Sequence, residues 1–441
     1  MAILALQPFS AFPFSRLHPS SVRPMAAGLV AVKPTAPSST LITSPLKKVL
    51  VPIGLGTEEM EAAILIDILR RAGARVTLAS VEPQMEVKAS WGVTLVADAL
   101  ISACELEVFD LVVLPGGMPG SARLRDCQVL EKIVRKHAEE KRLYGAICAA
   151  PAIALQAWGL LKKKKVTGHP AFLDKLPTFW RVKSNVQVSG EVTTSRGPGT
   201  AVEFALSLVE QIFGQDLAQE IGGTLVSCGD DFHQRSEEYN SVEWSSSHTP
   251  RALVPIANGS AEMETIVVVD ILRRAHVDVV VASVERSKQI VACRGTKIIA
   301  DKLIGDAAES NYDLIILPGG CNRGERLHKS RVLKKLLQEQ DSAGKVYGEI
   351  CSSTVVVLEK QGLFKQDRMV SEQQSMTGNF TGQVAKGAGV VIDGNLITGS
   401  GPGNAINFSL VIVGKLFGHA RARSVAEGIV SEYSECQVNS T

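Results

Sequence analysis

The 441-residue chain has no CxxC pair and no CxxC–HxxxH grouping; its eight cysteines (104, 127, 148, 228, 293, 321, 351 and 436) are scattered. Such spacing offers neither a zinc site nor a disulfide framework, and it fits a reducing compartment. No apolar run reaches the roughly 18 residues that a bilayer demands, so no membrane span is expected. Excess charge is also lacking: Lys+Arg 47 against Asp+Glu 45 leaves +2, no electrostatic footprint for nucleic acid or an anionic membrane. Acid is missing altogether from residues 1–57, the first being Glu58. What fills that stretch is Ser, Thr and Pro, with Arg16 and Arg23 its only arginines. This composition reads as an organelle transit peptide, residues 1–47, cleaved between 25 and 46. So few arginines point to a plastid, hence the chloroplast stroma, with a disordered cytosolic tail as the alternative.

The remainder is one domain written twice. EEMEAAILIDILRRAG (58–73) and AEMETIVVVDILRRAH (261–276) agree at nine of sixteen positions, at an offset of 203. LPGG at 114–117 and 317–320, and Ile-Cys at 147–148 and 350–351, keep that offset; GPG at 197–199 and 401–403 shifts it to 204. A repeat this long is a duplicated domain and not a solenoid. The polar stretch 229–249 separates the copies, so the expected domains are 48–227 and 250–441, with 228–249 as linker.

Each copy alternates apolar strand-like runs with helical patterns. KVLVPIGL, RVTLASVE, FDLVVLPGG and LYGAIC read as buried strands. Thr57 is placed to cap a helix whose apolar stripe is Met60, Ile64, Ile68 and Ala72, with Gly73 as its stop. Residues 126–142 read as a second helix, and CAAPAIALQAWGLL as a third. The implied fold is α/β: a parallel sheet with helices on both faces, in two tandem domains. Chemistry in such sheets gathers beyond the C-terminal ends of the strands.

Every candidate falls there. Cys148, in GAICAAP, sits where a strand turns into a helix, the geometry that projects a nucleophile, and a helix N-terminus lowers a thiol pKa. The competing reading is a small buried apolar residue. Gly116 and Gly117 offer backbone N–H groups to an oxyanion, or simply form a turn. Glu61, next to apolar Met60, is buried if this helix face covers the sheet, and burial suits a carboxyl to proton transfer near neutrality; otherwise it is solvated. His169, in VTGHP, is a proton shuttle, an orienting partner or a loop residue. Lys162–Lys165 read as a solvated turn.

LPGG, GAICAAP, TGHP and TSRGPGTAVEFA together resemble the DJ-1/PfpI family, over nearly all of 48–220 and again over 252–420. A tandem pair behind a transit peptide looks like the plant members of that family. The resemblance implies a flavodoxin-like, class I glutamine-amidotransferase-like three-layer αβα fold. It implies Cys148 as nucleophile or oxidation-sensitive thiol, Glu61 as its carboxylic partner, His169 as the nearby imidazole, and Gly117 and Ala149 as oxyanion donors. It further implies paired domains with an arginine from the neighbour, which Arg71 and Arg274 match, so the repeats are expected to form an internal pseudo-dimer. No cofactor and no metal ion are expected.

The second copy departs from this pattern. Cys351, Glu264, Gly319 and Gly320 persist, but the elbow reads GEICSST, with Thr354 replacing a proline and Glu349 two residues before the thiol. Glu372 stands for His169, and Ser400 for Arg196. The second site is therefore expected to be degenerate. Two functions remain open: a glyoxalase- or deglycase-type enzyme in the first copy, acting on a small aldehyde such as methylglyoxal through a hemithioacetal on Cys148, or a non-enzymatic plastid protein with Cys148 as redox sensor, serving oxidative-stress protection or chloroplast development. Peptidase activity lacks an acid that could be placed beside His169. Further homo-oligomerisation is left open.

Overall fold

The computed structural model describes residues 46–177, 179–225, 235–244, 248–321, 325–351, 357–363, 368–371 and 383–439. Nearly all of the expected transit peptide, together with Thr354 and Glu372, lies outside the described residues.

In the first repeat the strands are β1 (Lys48–Ile53), β2 (Arg75–Ser80), β3 (Glu86–Lys88), β4 (Thr94–Val96), β5 (Ala99–Leu100), β6 (Leu111–Leu114), β7 (Leu143–Ile147), β8 (Val186–Ser189) and β9 (Val192–Ser195). The helices are α1 (Glu59–Arg71), α2 (Gly120–Asp126), α3 (Gln128–Glu139), α4 (Ala201–Phe213) and α5 (Gln215–Leu225). Seven strands form one sheet in the order β5-β2-β1-β6-β7-β9-β8. It is parallel except at β8–β9. Only Gly190 and Glu191 separate those two strands, so they close as a hairpin, since a parallel crossover needs a dozen residues or more. Apolar runs such as the wholly buried β6 arise because both faces are covered. Helices α1, α4 and α5 contribute to one core layer and α2 and α3 to the other.

Two helix expectations need correction. Thr57 does not cap α1: its hydroxyl accepts from the Gly54 N–H at 2.9 Å, closing the turn, and Glu58 takes the N-cap position without a side-chain cap. The run after Cys148 is no ordinary helix but a π-helical turn, Pro151–Leu155, followed by turns.

The second repeat repeats the plan with β11 (Arg251–Ile256), β12 (Asp278–Ser283), β13 (Gln289–Val291), β14 (Lys297–Ile299), β15 (Lys302–Leu303), β16 (Leu314–Leu317), β17 (Val346–Ile350), β20 (Ala388–Asp393) and β21 (Leu396–Gly399). Its helices are α6 (Glu262–Arg274), α7 (Ile304–Ala307), α8 (Glu325–Lys329), α9 (Arg331–Ser342), α10 (Ala405–Phe417) and α11 (His419–Gly428); β18 (Met369–Ser371) and β19 (Gln383–Ala385) pair apart. Within the expected linker, Arg235–Tyr239 is a strand, β10, parallel to β20, and β22 (Gln437–Val438) lies beyond it. The segment thus extends the second sheet as well as joining the repeats. Among the described residues no helix is long and apolar enough to cross a membrane.

The repeats pack as an internal pseudo-dimer. Helix α1 is buried from Glu59 to Leu69, and α6 from Glu262 to Leu272, because each faces its own sheet on one side and the other helix on the other. A helix apolar around most of its girth must be covered all round. Beside them β3–β4 and β13–β14 join into one antiparallel ribbon, β13-β14-β4-β3. Leu95 faces Ile298, its own equivalent, and Thr94 faces Ile299 while Val96 faces Lys297. This is the self-complementary pairing of a two-fold interface. Arg70 donates to the Arg294 carbonyl at 2.8 Å, and its equivalent Arg273 to the Trp91 carbonyl at 2.9 Å.

Candidate functional site

Cys148 follows β7 directly and has φ 64°. A non-glycine residue in the left-handed region is strained, and such positions are held only by their surroundings. Here the Cys148 N–H donates to the Ser195 carbonyl at 3.0 Å, and the Cys148 carbonyl accepts from the His169 N–H at 2.8 Å. The opposite wall explains LPGG. A Cβ on Gly116 would lie 2.6 Å from the Cβ of Cys148 and 2.9 Å from Oε2 of Glu61, so only glycine leaves room for this pair. Gly117 has φ 89°, and a side chain there would strike the backbone of Gly56 and Glu58.

Glu61, in the first turn of α1, is wholly buried. Its Oε2 accepts from the Gly116 N–H at 2.6 Å, and the carboxyl lies beside Cys148 across Gly116. Gly116 is therefore engaged by the carboxyl and is no oxyanion donor; the Gly117 N–H faces the sulfur. Burial first, then the nearby Glu58, pushes Glu61 up to about 8, so it holds a proton at neutral pH. The thiol departs from the sequence expectation. Burial, and then the charges of Glu61 and Glu58, push Cys148 well above the ordinary thiol range, and the Gly117 N–H only partly opposes them. The positive end of a short helix does not outweigh burial together with two neighbouring acids. A thiolate forms only while Glu61 keeps its proton, so the two groups act as a pair sharing one proton.

His169 begins a 3₁₀ turn, Pro170–Lys175. Its Nδ1 accepts from the Ala171 N–H at 3.2 Å, which assigns the ring proton to Nε2, 3.5 Å from the Gly428 carbonyl. Burial above all lowers its pKa, so the ring is neutral. Both ring nitrogens are oriented by backbone, so His169 forms no hydrogen-bonded dyad with Cys148; the group beside the thiol is Glu61.

These groups meet at a cavity of about 150 Å³ lined by Glu58, Gly117, Met118, Cys148, Ala149, His169, Phe172 and Pro198 of the first repeat and by Arg274 and Gly428 of the second. Arg274 bonds Glu58 Oε1 through Nη2 at 2.6 Å, bonds Asp270 through Nε, and lies 4.7 Å over the Trp91 ring. The first site is thus completed by the second repeat. Glu58, Glu59 and Asp270 bring carboxylate oxygens within 4.8 Å of one another. The guanidinium, held fully charged by Asp270 and Glu58, supplies their counter-charge. A larger cavity of about 790 Å³, lined by Trp244, Asp313, Arg368 and Asp393 among others, opens at the N-terminal ends of β16, β17 and β21 and has no thiol. It is at the wrong end of the sheet for the chemistry such folds carry.

The second site keeps the same core. Cys351 has φ 76°, Gly319 N–H donates to Glu264 Oε2 at 2.7 Å, and Glu264 lies beside Cys351 and is raised to about 8, chiefly by burial. Gly320 abuts the Gly259 carbonyl, as Gly117 abuts Gly56. What changed is the rim. Ala261 replaces Glu58, so Arg71, the equivalent of Arg274, pairs with Asp67 and has no second carboxylate at the Glu58 position. Ser400 replaces Arg196, and Glu349 is buried on β17. Sequence reasoning passed over Glu58, Met118, Phe172, Pro198 and Gly428. Only Glu58 left a signal, the loss of acid at Ala261 in the second copy.

Two flavodoxin-like three-layer domains, each with a positive-φ cysteine facing a buried glutamate across a double glycine, define an α/β protein of the thiol–carboxyl elbow class. The family model described as DJ-1/PfpI family matches residues 47–211 and again 250–415, and the chain belongs to that family. It is 44% identical over 393 residues to Protein DJ-1 homolog B of Arabidopsis thaliana, covering 88% of this chain and 89% of that one. Protein DJ-1 homolog A of the same plant is 45% identical over 386 residues, covering 85% and 96%. A Caenorhabditis elegans protein named Glutathione-independent glyoxalase DJR-1.2 is 37% identical over 163 residues, covering 36% of this chain and 84% of its own.

Proposed function

We propose that the first repeat is a cofactor-independent catalyst of the glyoxalase or deglycase type, converting small 2-oxoaldehydes such as methylglyoxal to hydroxy acids, and that the chain works in the plastid stroma. The observation that carries this reading is the wholly buried Glu61 carboxyl beside Cys148 across Gly116, raised by burial to about 8. A cavity of about 150 Å³ suits a molecule of a few heavy atoms, well below the roughly 300 Å³ at which pockets for larger ligands begin. The relative named a glyoxalase supports the reaction class. The acid-free, Ser-rich stretch before Glu58 supports the plastid.

The chemistry follows from the shared proton. The Cys148 thiolate attacks the aldehyde carbon while Glu61 protonates the new alkoxide, giving a hemithioacetal and a carboxylate. That carboxylate removes the hydrogen from the sulfur-bearing carbon and returns it to the adjacent carbon, through an enediol. The hydroxyl proton crosses to the second oxygen by way of neutral His169 or water. Collapse leaves an acyl thioester, and water releases the hydroxy acid and restores the thiol. Gly117 and Ala149 N–H groups serve the developing oxyanion.

A redox-sensor reading would draw on the same Cys148 thiolate, but it leaves the buried, protonated Glu61 without a chemical role. Incubation with methylglyoxal tests the proposal: lactate forms with the native chain and not with Cys148→Ala. Equal turnover by both would end it.

A further inference from the structure

Two cysteines with no part in either thiol–carboxyl pair meet beside the second site. Cys293 lies in the turn between β13 and β14, in the ribbon that joins the repeats; Cys321 follows Gly320 directly. Both are anchored to one turn. The Cys293 N–H donates to the Ser260 carbonyl at 2.8 Å, and the Cys321 N–H to the Gly259 carbonyl at 3.0 Å. Gly320 bridges Ser260, and the Gly259 N–H donates back to Val291, two residues before Cys293. Held on consecutive residues of one turn, the two cysteines are neighbours, and the Cys321 thiol donates to the Gly259 carbonyl at 3.6 Å. The first repeat has Ser90 and Met118 at these positions, and Met118 lines the first cavity.

We propose that Cys293 and Cys321 form a reversible intramolecular disulfide on exposure to hydroperoxide, a modification site peculiar to the second repeat. Cys321 is exposed and meets the oxidant; Cys293 is half-buried beneath it. Burial, then the neighbouring thiol, push Cys293 up to about 12, so it keeps its proton until Cys321 has reacted. In the first step the Cys321 sulfur displaces hydroxide from hydrogen peroxide, giving a sulfenic acid and one water; the sulfur loses two electrons. In the second the Cys293 sulfur attacks the sulfenic sulfur, the S–S bond forms, the S–O bond breaks, and the hydroxide leaves with the Cys293 proton as a second water. Two thiols and one peroxide become one disulfide and two waters. The bond ties the ribbon joining the repeats to the glycine loop whose Gly319 N–H holds Glu264.

The test is peptide mass spectrometry under non-reducing conditions, on the purified full chain before and after equimolar hydrogen peroxide. The expected result is a cross-linked peptide pair containing Cys293 and Cys321, lost on adding dithiothreitol and absent from the Cys293→Ser chain, in which Cys321 instead accumulates higher oxides. Cys321 driven to sulfinic acid in the native chain without a cross-link, a Cys321–Cys351 link in its place, or an unmodified Cys321 would each overturn the assignment.

Discussion

The first and second repeats hold the same thiol–carboxyl pair, with the glutamate buried in both, and surround it differently. Glu61 lies beside Cys148 and accepts from the Gly116 N–H, Glu264 lies beside Cys351 and accepts from the Gly319 N–H, and burial raises both carboxyls to about 8. At the rim the likeness fails. Glu58 faces Arg274 across the repeat boundary, whereas Ala261 offers Arg71 no such carboxylate and Arg71 pairs with Asp67. Met118 and Ser90 in one copy are Cys321 and Cys293 in the other. The inner pair is fixed by the fold, since the glycine, the elbow and the helix end must fit together for either domain to pack. The rim is free to drift, and there the two copies acquire different work.

The sharpest test of that division is catalytic. Glu61→Gln keeps an acceptor for Gly116 but cannot shuttle a proton, so lactate formation should fall about 10²- to 10⁴-fold. Cys148→Ala should abolish it. Glu264→Gln and Cys351→Ala should leave the rate unchanged. Comparable losses in the two repeats, measured by coupled lactate assay, would mean that the intact core suffices for turnover and the rim decides nothing.

Next in size is the rim itself. Arg274 holds the buried Asp270 and Glu58, and its removal strands both acids. Breaking a buried ion pair by removing one partner costs about 3–5 kcal/mol, and Arg274→Ala should approach that range in urea unfolding. Arg71→Ala strands only Asp67 and should cost less. The opposite ranking would show that the extra carboxylate at Glu58 strains the first repeat.

A smaller effect should be equal in both. Each glutamate binds its proton more tightly folded than unfolded, so its contribution to stability is full below about 4.5 and is lost as pH rises toward about 8. Glu61→Gln and Glu264→Gln should each flatten the fall in stability between pH 5 and 8, by up to about 1.4 kcal/mol per pH unit. Thermal denaturation across that window distinguishes a shared electrostatic role from an unequal one.

Much of this was legible beforehand, for physical reasons. The pairing of the repeats was expected from the family resemblance and the matching Arg71 and Arg274, whereas the apolar stripe Met60, Ile64, Ile68 and Ala72 accounts for one covered face of α1 and not for the burial of Glu59, Glu61 and Asp67 as well. LPGG and the Cys148 elbow could be read because small residues at tight contacts tolerate few alternatives. What could not be read depended on long-range geometry. Thr57 has the chemistry of a cap, but a nearer turn N–H claimed its hydroxyl. The strand at Arg235–Tyr239 has charged, unpatterned residues that only the waiting edge of β20 makes extended. The direction of the Cys148 shift turned on Glu58 and on burial, neither of which a helix-terminus argument contains.

The smallest difference lies in the ribbon. Lys297 reaches across the repeat boundary to Asp98 at 3.2 Å, while its equivalent Thr94 cannot reach Asp301, so the pseudo-two-fold pairing has a salt bridge on one side only. Both side chains are about one-third exposed, and such a pair is worth about 0.2–1 kcal/mol. Lys297→Thr makes the ribbon symmetric and should cost no more than that at low salt. Because exposed charges are screened within about 3 Å at 1 M salt, the cost should vanish there. A loss that persists at 1 M salt would mean that the aliphatic stem of Lys297 matters more than its charge, and that the second repeat contributes apolar contact to the joint where the first does not.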